Sequence, residues 1–442
     1  MAGGMAYSMD PAPADGAVPA ETSSFGLRWY VLFITMLAYA INIADRYVVS
    51  TVLEDIRIDY GLSDAGIAFL TGVSLALFYV TMGLPLSWLA DRYSRRNLLA
   101  ASMAVWSAMT ALCGLSRTYT HFLLARIGVG IGEAGGTPTC NSIICDHFPP
   151  HRRAMAMTVF ALGAPIGAWM GADMAGLVAH HYGWRAAFLV LGVPGVILAA
   201  IVMLTLREPK RGQMDAISSE QPATVMETLR FMWTQRAAVH LMMGGGVTAL
   251  WGWGLVYFTP TYLQRAYNLD VGTAGGIVGP IHLVTGTLAL ILTAWVMARP
   301  AFADPRRILR VLAVVVGVST IPSIWAFYTH SLTVCTIMLW LFIPSIYFYL
   351  GPAFALCQNL APANMRAMFS AVSLLIANVF NLIIAPQGVG LLSDWFAGPA
   401  GPDAESLRLA LLVLAPTGFW AVLHYVLAIR SVRECQRRAV GV

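Results

Sequence analysis

Four ionisable residues interrupt two long apolar stretches of the sequence. Asp45 and Arg46 lie in the first stretch, and Arg126 and Glu133 lie in the fourth. A charge near the centre of a bilayer costs at least ~2.5–3.5 kcal/mol, and ionisable residues at that depth commonly serve proton or ion pathways. We therefore predict that Glu133 and Asp45 exchange a proton and that Arg46 and Arg126 bind an anion.

Helical geometry restricts how these four side chains can pair. Arg126 and Glu133 are seven residues apart, so they share one helix face about 10 Å apart along the axis. Asp45 and Arg46 are neighbours that point roughly 100° apart, so we expect them to take different partners. Protonation of a carboxylate would free its Arg for an anionic group. The alternative is an ion-pair network that only holds the two helices together.

Composition explains why these residues must lie in a membrane. The chain has 442 residues, of which 58% are hydrophobic and only 11% are charged. Soluble domains carry about 25% charged residues, so a water-soluble globule is excluded. The apolar runs are long and uninterrupted, which favours helices over the alternating strands of a transmembrane barrel. The fold class predicted is an all-α integral membrane protein.

Hydropathy predicts twelve spans and a division into two halves. Residues 1–26 and 431–442 are expected to be tails, and 207–236 a polar linker between six-span halves at 27–206 and 237–430. The linker includes one amphipathic stretch at 225–233, which suggests a short interfacial helix. Spans 1 to 12 are placed at 27–50, 64–90, 97–115, 119–145, 154–180, 185–206, 237–263, 272–298, 307–328, 331–357, 366–393 and 405–429.

Basic residues predict the orientation of the spans. With both termini in the cytoplasm, 20 of the 27 Lys and Arg fall on the cytoplasmic side and 5 on the other side. This bias follows the positive-inside rule. The halves also repeat, because Arg153 before span 5 and Arg366 before span 11 stand in similar segments 213 residues apart. An internal duplication is typical of transporters with a central site between two halves.

The loop between spans 2 and 3 carries the run Asp91-Arg92-Tyr93-Ser94-Arg95-Arg96. A carboxylate at a helix end beside three Arg can form charge-assisted bonds that latch neighbouring helices. We assign gating roles to Asp91, Arg92, Arg95, Arg96, Arg153 and Arg366. The run resembles the loop signature of the major facilitator superfamily, with Ser87 where that signature usually has Gly. The alternative is a basic loop that only sets topology.

Taken together, these motifs resemble those of the spinster-like family of that superfamily, and the chain is similar to a bacterial-type member. The most specific part is Arg126-x-x-x-Gly130-x-Gly132-Glu133-Ala134. The resemblance implies the superfamily fold, a bacterial inner-membrane location, and proton-coupled transport of a lysophospholipid or sphingoid-phosphate-like lipid by alternating access. It also implies that Asp45, Arg46, Arg126 and Glu133 form the central polar cluster.

The second half offers aromatic and amide groups opposite this charged wall. Tyr257 and Asn378, with Tyr47 from span 1, are predicted to contact the substrate, which suits an amphiphile. The alternative cargo is a small organic anion or drug. The sequence has no P-loop, no nucleophile–base pair and no Cys or His spacing for a metal, so we expect no enzyme activity, cofactor or metal. The expected partners are the substrate, protons and membrane lipids, and we expect no nucleic acid. The protein is expected to be a monomer.

Overall fold

The computed structural model describes residues 25–208, 224–399 and 401–440, and this part of the chain is built from helices. Most of the predicted tails and much of the linker lie outside these residues. Among the described residues, eleven helical segments are long and apolar enough to cross a membrane. The remaining predicted span, span 4, consists of two helices, Tyr119–Glu133 and Gly136–His147. The predicted twelve-span architecture is confirmed, with span 4 broken at Ala134 and Gly135.

The bounds of the spans follow the predicted order. Spans 1, 3, 6, 7 and 9 are single helices, and each of the others is divided into consecutive helical segments. From span 1 to span 12 the segments are Phe25–Thr51; Asp64–Ala68, Phe69–Val73 and Ser74–Arg92; Arg95–Leu115; Tyr119–Glu133 and Gly136–His147; Pro150–Ala161, Gly163–Trp169, Met170–Met174 and Ala175–Tyr182; Trp184–Thr205; Arg236–Tyr267; Val271–Ile281, His282–Gly286 and Thr287–Met297; Pro305–Tyr328; Leu332–Phe342, Pro344–Phe348 and Leu350–Asn359; Arg366–Asn378, Val379–Ile384 and Ala385–Phe396; and Ala404–Leu414 and Thr417–Val440. Short helices outside the spans are Leu53–Tyr60, Val225–Thr234, Pro300–Ala303 and Ala363–Met365.

Spans 2, 5, 8 and 11 each contain a π-helical turn. These turns are Phe69–Val73, Met170–Met174, His282–Gly286 and Val379–Ile384. The first and third turns begin 213 residues apart, which is the offset of the sequence repeat. A π-helical turn widens the helix locally and is frequent at functional sites. The duplication therefore extends to a local distortion of the backbone.

Close helix contacts hold spans 1, 3, 4 and 5 together around the charged residues. A Cβ at Gly132 would lie 2.6 Å from the backbone nitrogen of Trp106, and a Cβ at Gly171 would lie 2.3 Å from the carbonyl oxygen of Ala44. Contacts this short exclude any larger residue. The glycines thus allow span 4 to approach span 3, and span 5 to approach span 1, beside the four charges.

The linker residues that the structure describes include the predicted amphipathic segment. It forms the helix Val225–Thr234, which begins at a capping box between Thr224 and Glu227. Trp233 is 75% exposed and Met226 is 60% exposed. These exposed apolar side chains are consistent with the interfacial position that we predict for this helix.

Candidate functional site

Asp45 and Arg126 form a buried ion pair between spans 1 and 4. Nη1 of Arg126 donates to Oδ2 of Asp45 at 2.9 Å, and the two side chains are 1% and 2% exposed. The hydroxyl of Thr110 in span 3 donates to the other oxygen of Asp45. A buried charge is tolerated only when it is paired and hydrogen-bonded, and Asp45 meets both conditions.

Arg46 and Glu133 form a second pair beside the first. Nε and Nη2 of Arg46 donate to Oε2 of Glu133 at 3.1 and 2.8 Å. Oε1 of Glu133 is buried and has no hydrogen-bond partner within the described residues. The Arg46 guanidinium also lies over the ring of Tyr79, 5.2 Å from its centroid. Asp45 and Arg46 therefore take different partners, as their angular separation predicts.

The two pairs differ in their access to a central cavity. The Arg46 side chain is 23% exposed and lines the cavity, whereas the Glu133 side chain behind it is fully buried. Arg126 contributes to the same lining while its own side chain is 1% exposed. One guanidinium thus links a buried carboxylate to a space that a ligand can enter.

The cavity lies between the halves and has an empty volume of about 1080 Å³, part of it open to solvent. Tyr47, Tyr257 and Asn378, which we predicted to contact substrate, all line it. Most of the other lining residues are apolar or aromatic. The other lining residues, polar ones included, are Tyr39, Ile43, Val49, Ser50, Thr71, Gly72, Leu75, Ala164, Trp253, Val256, Leu350, Asn381, Leu382 and Pro386.

Hydrogen bonds join the two halves at one end of this cavity. Ser50 donates to the carbonyl of Tyr257 at 2.5 Å, and the hydroxyls of Thr71 and Tyr257 lie 2.5 Å apart. Nδ1 of His282 lies 2.9 Å from the hydroxyl of Tyr347 and 3.5 Å from that of Tyr47. Ser50 lies near the end of span 1 and Thr71 near the start of span 2, so their bonds to Tyr257 lie toward the side away from the chain termini, which we call the distal face.

Arg95 and Arg96, which we predicted to gate, begin span 3 at the end of the bundle opposite the distal face, and the side chain of Asp91 is not among those described. Arg95 is buried, contacts Asp146 of span 4 and bonds Glu208 at 3.3 Å. Glu208 also accepts from the backbone nitrogen of Arg96 at 2.8 Å. The carboxylate therefore occupies the N-terminus of span 3, where the helix dipole favours negative charge.

The remaining predicted gating residues make local contacts. Arg153 donates to the carbonyls of Phe148 and Cys145 at 3.1 and 3.0 Å, which fixes the turn between spans 4 and 5. Arg366 is exposed and reaches the carbonyl of Ala361 at 3.5 Å, and Arg92 is exposed. The gating roles remain predictions.

Sequence reasoning missed several contributors to the site. Thr110, Tyr79 and Tyr39 are ordinary residues of membrane helices, and only the packing reveals that they surround the charges. Asp173 of span 5 is half-buried and accepts from Nε1 of Trp169 at 2.8 Å, apart from the four charges. Within the described residues, no group of three or more His, Cys, Asp or Glu is arranged to hold a metal ion.

Solved structures and characterised relatives resemble the chain over most of its length. A bacterial homologue of the human lysosomal transporter spinster, crystallised in an inward-facing and unoccupied conformation, superposes with a TM-score of 0.78 at 28% identity, covering 93% of this chain and 99% of that one. An MFS-type efflux pump of Mycolicibacterium smegmatis is 29% identical over 92% of this chain and 94% of its own length.

Two further relatives have contrasting names and match less of the chain. The sphingosine-1-phosphate transporter SPNS2 of Mus musculus is 27% identical over 62% of this chain and 53% of its own. A probable L-galactonate transporter of Escherichia coli is 29% identical over 65% of each chain. The predicted resemblance to spinster-like proteins is confirmed. Residues 35–386 also match the family described as Major Facilitator Superfamily, so the chain belongs to this superfamily of membrane transporters.

Proposed function

We propose that this transporter couples proton movement to the movement of an amphiphilic anionic lipid, such as a lysophospholipid or a sphingoid phosphate, by alternating access. One observation carries the proposal. Arg46 holds the buried carboxylate of Glu133 with two hydrogen bonds and at the same time faces the central cavity. An anion in the cavity and the carboxylate behind it therefore compete for one guanidinium.

This competition links the proton to the substrate. While Glu133 is ionised, its charge neutralises Arg46. When Glu133 takes up a proton it becomes neutral, and its attraction for the guanidinium weakens. Arg46 can then bind a phosphate or carboxylate with its planar fork. The unpartnered Oε1 of Glu133 gives the proton an oxygen that does not already accept from Arg46.

The second pair supplies a fixed charge next to this exchange. Asp45 is held by Arg126 and Thr110, so both of its oxygens accept hydrogen bonds. Hydrogen bonds to the ionised form favour that form. We infer that Glu133 is the principal proton carrier and that Asp45 contributes a charge whose loss would disturb the position of Arg126.

The shape of the cavity supports an amphiphile. Its lining combines polar groups, among them Arg46, Tyr47 and Tyr257, with an apolar part of the wall that is formed by Ile43, Leu75, Val256, Leu350 and Leu382. A headgroup on the guanidinium would place an acyl chain against this apolar surface, which removes it from water. The spinster-related and sphingosine-1-phosphate-transporting relatives are in keeping with such a substrate.

The closed distal face supports an inward-open state. The positive-inside rule places both termini in the cytoplasm, so the distal face is extracellular in this proposal and the cavity is reached from the cytoplasm. Similarity to a structure in an inward-facing conformation agrees with this orientation. We infer a bacterial inner-membrane location. We also infer a monomeric transporter, because the cavity is formed within one chain.

A proton-linked transporter of small organic anions is the second candidate. The galactonate-related protein favours it, and so do the amides Asn378 and Asn381 in the cavity lining, which suit a hydroxylated acid. The two candidates share the charge cluster and differ only in what the apolar wall contacts. A substrate without an acyl chain would leave that wall without a function.

The test is proton movement in proteoliposomes that enclose a pH-sensitive dye. We expect lysophosphatidate or sphingosine-1-phosphate, but not galactonate, to cause proton flux through the wild-type protein, and Glu133→Gln to abolish that flux. Glu405→Gln is the matched control, because Glu405 is exposed and pairs with Arg408 within one helix of the second half. Flux with galactonate alone would favour the second candidate. Flux at the wild-type rate in Glu133→Gln would indicate that Asp45, and not Glu133, carries the proton.

A further inference from the structure

A cluster of charged residues joins the two halves at the distal face, beyond the central cavity. Glu54 lies in the short helix after span 1, Asp64 begins span 2, and Arg265 lies near the end of span 7. We call these three residues the distal clamp. In the predicted topology Glu54 lies in the loop after span 1, Asp64 at the start of span 2 and Arg265 in the loop after span 7, and nothing in the sequence brings them together.

Arg265 of the second half binds both carboxylates of the first half. Its Nη1 and Nη2 donate to the two oxygens of Asp64 at 2.8 and 2.7 Å, and its Nε and Nη2 donate to Oε2 of Glu54 at 2.9 and 2.5 Å. The side chains of Asp64, Arg265 and Glu54 are 0%, 8% and 11% exposed. Bidentate, charge-assisted bonds shielded from water are among the stronger polar contacts in proteins.

Span 11 reinforces the clamp from the same half as Arg265. The carboxylate of Asp394 accepts from the backbone nitrogens of Asp64 and Ala65 at 2.8 and 3.0 Å, so it caps the start of span 2. The hydroxyl of Ser393 donates to Asp64 at 2.6 Å. A Cβ at Gly390 would lie 2.6 Å from the carbonyl oxygen of Asp64, so the backbones of spans 2 and 11 are in direct contact there.

The clamp lies directly beyond the closed end of the cavity. Asp64 and Arg265 are on spans that also line the cavity. Glu54 follows the cavity residue Ser50 by four positions, and Arg265 follows Tyr257 by eight. At 1.5 Å per residue these separations are about 6 and 12 Å. Between them, Nε2 of Gln264 donates to the carbonyl of Thr51 at 3.1 Å. Cross-half bonds thus continue from the cavity floor to the distal surface.

Arg57 makes this clamp releasable. It donates to both oxygens of Glu54 at 3.0 and 2.8 Å and lies 3.7 Å from Asp64, all within the first half. If the halves separate, the first half keeps a cation beside both carboxylates. Breaking a buried pair is costly chiefly because it leaves an unpaired charge. Arg57 reduces that penalty in the open state, so the clamp can alternate between two partners.

We propose that Arg265, with Glu54 and Asp64, is the distal gate of the transport cycle: it closes the cavity in the present state and must release for the cavity to open on that face. The proposal rests on alternating access in the proposed function but not on the identity of the substrate or on proton coupling. It assigns gating to residues that are separate from the cytoplasmic run around Asp91.

Spin-label distances across the distal face test the gate. Labels at Arg117→Cys and His330→Cys report the separation of the halves, because both residues are exposed in distal loops of different halves. In wild-type protein in lipid nanodiscs we expect a short, closed distance. Arg265→Gln is expected to raise the open-to-closed ratio by about tenfold or more, since it removes the ion pairs of Arg265 with both carboxylates of the first half.

Two variants make the result specific to the clamp. Arg185→Gln removes an Arg of the same face that pairs with Asp59 inside the first half, so it should leave the distances unchanged. The charge exchange Glu54→Arg with Arg265→Glu should recover much of the closed population that Arg265→Glu alone loses. If Arg265→Gln fails to fold, Arg265→Lys keeps the charge without the planar fork and should give an intermediate ratio.

The outcomes separate this proposal from the proposed function. Equal distance distributions in wild type, Arg265→Gln or Arg265→Lys, and Arg185→Gln would overturn the gate even if lipid-driven proton flux is observed. A distal opening in Arg265→Gln that the charge exchange reverses would support the gate even if no lipid drives flux. Failure of the charge exchange, with a normal elution profile on size exclusion, would also count against a direct Glu54–Arg265 contact.

Discussion

The two halves share one architecture and differ in where they place charge. At the offset of 213 residues that relates the halves, Arg126 corresponds to Leu339 and Glu133 corresponds to Ile346. Both Leu339 and Ile346 are 0% exposed, so they fill the core of the second half. Apolar side chains therefore satisfy the fold at positions where the first half carries a cation and an anion. The charges of the first half are not required by the architecture, which favours a functional reason for them.

The second half contributes aromatic and hydrogen-bonding groups to the shared cavity. Trp253 and Tyr257 line it, and His282 and Tyr347 meet Tyr47 across the boundary between the halves. Trp and Tyr side chains can contact a ligand without changing their charge near neutral pH. The comparison indicates a division in which the first half responds to protons and anions and the second half supplies the opposing wall. Substitutions in the two halves test this difference, and the largest effect is expected in the first half.

The largest effect is expected from Arg126, the more deeply buried cation. Arg126→Leu copies the second half at this position but leaves Asp45 buried without its partner. We expect the free energy of unfolding to fall by about 3–5 kcal/mol and transport to be lost. In Asp45→Asn with Arg126→Leu the unpaired charge is removed, so stability should largely return while transport stays absent. Thermal unfolding in detergent and flux in proteoliposomes measure the two quantities.

A matched substitution in the second half calibrates that result. Leu339→Met conserves volume at the corresponding position and should cost less than about 1.5 kcal/mol with transport retained. If the double variant of Asp45 and Arg126 is as unstable as Arg126→Leu alone, the loss comes from packing and not from an uncompensated charge. The comparison between the halves would then lose its electrostatic basis.

A smaller effect is expected at Arg46, which is partly exposed to the cavity. Arg46→Lys keeps the positive charge but cannot make both hydrogen bonds to Glu133 in the same geometry. A hydrogen bond to a charged group contributes about 1.5–3 kcal/mol, so transport should drop about tenfold or more and remain above that of Arg46→Ala. Initial rates of substrate-driven proton flux measure the expected ranking of wild type, Arg46→Lys and Arg46→Ala. Equal rates for Lys and wild type would remove the role of the guanidinium fork.

The architecture and the charge cluster were predictable because their signals are local. Hydropathy identified all twelve spans, and the cost of burying charge identified Asp45, Arg46, Arg126 and Glu133 without any knowledge of their contacts. Helical angles predicted that Asp45 and Arg46 take different partners. Which carboxylate binds which Arg was not predictable, because the pairing depends on the rotation and depth of spans 1 and 4 after packing.

The features that escaped prediction depend on contacts between distant segments. Glu54, Asp64 and Arg265 lie far apart in the sequence or on different helices, and Arg57 and Arg265 were counted only as basic residues outside the spans. The π-helical turns have no distinct composition that would reveal them. Span 4 is broken after Glu133 because Ala134 and Gly135 leave the helix there, and in the sequence these residues looked like ordinary small residues of a membrane helix.

The cytoplasmic loops test the same asymmetry between the halves. We expect Asp91→Asn to shift the population toward the inward-open state by about 1–3 kcal/mol, because it weakens charge-assisted bonds made when the cytoplasmic side is closed. The matched variant is Asp304→Asn in the corresponding loop, since Asp304 pairs with Arg433 at 2.7 Å within the second half. Spin labels on the cytoplasmic ends of spans 2 and 11 should report a shift for Asp91→Asn alone. Unchanged distances at every pH would mean that the loop only sets topology.

Two neighbouring acids of the distal face have opposite pKa shifts. Burial, together with the charge of Glu54, raises the pKa of Asp55 to about 6. Burial alone would also raise the pKa of Glu54, but hydrogen bonds from Arg57 and Arg265 outweigh it and lower that pKa below its usual range. The cleft beside Asp55 also contains Asp59, His180 and Asp270. The closed face therefore binds a proton at Asp55 more tightly, and at Glu54 more weakly, than a solvated chain would.

The smallest effect is expected at Asp55. Because the pKa of Asp55 is raised, neutral Asp55 favours the closed face. This contribution is complete below the ordinary Asp pKa of about 3.9, and it is lost as pH rises through about 6. Ionised Glu54 acts in the opposite direction, since its contribution is lost only as pH falls below its usual range. Distal-face label distances in wild type should thus become more closed from pH 7.5 to pH 5, and Asp55→Asn should be closed throughout that window. If Asp55→Asn keeps the wild-type pH dependence, Asp55 is not its origin.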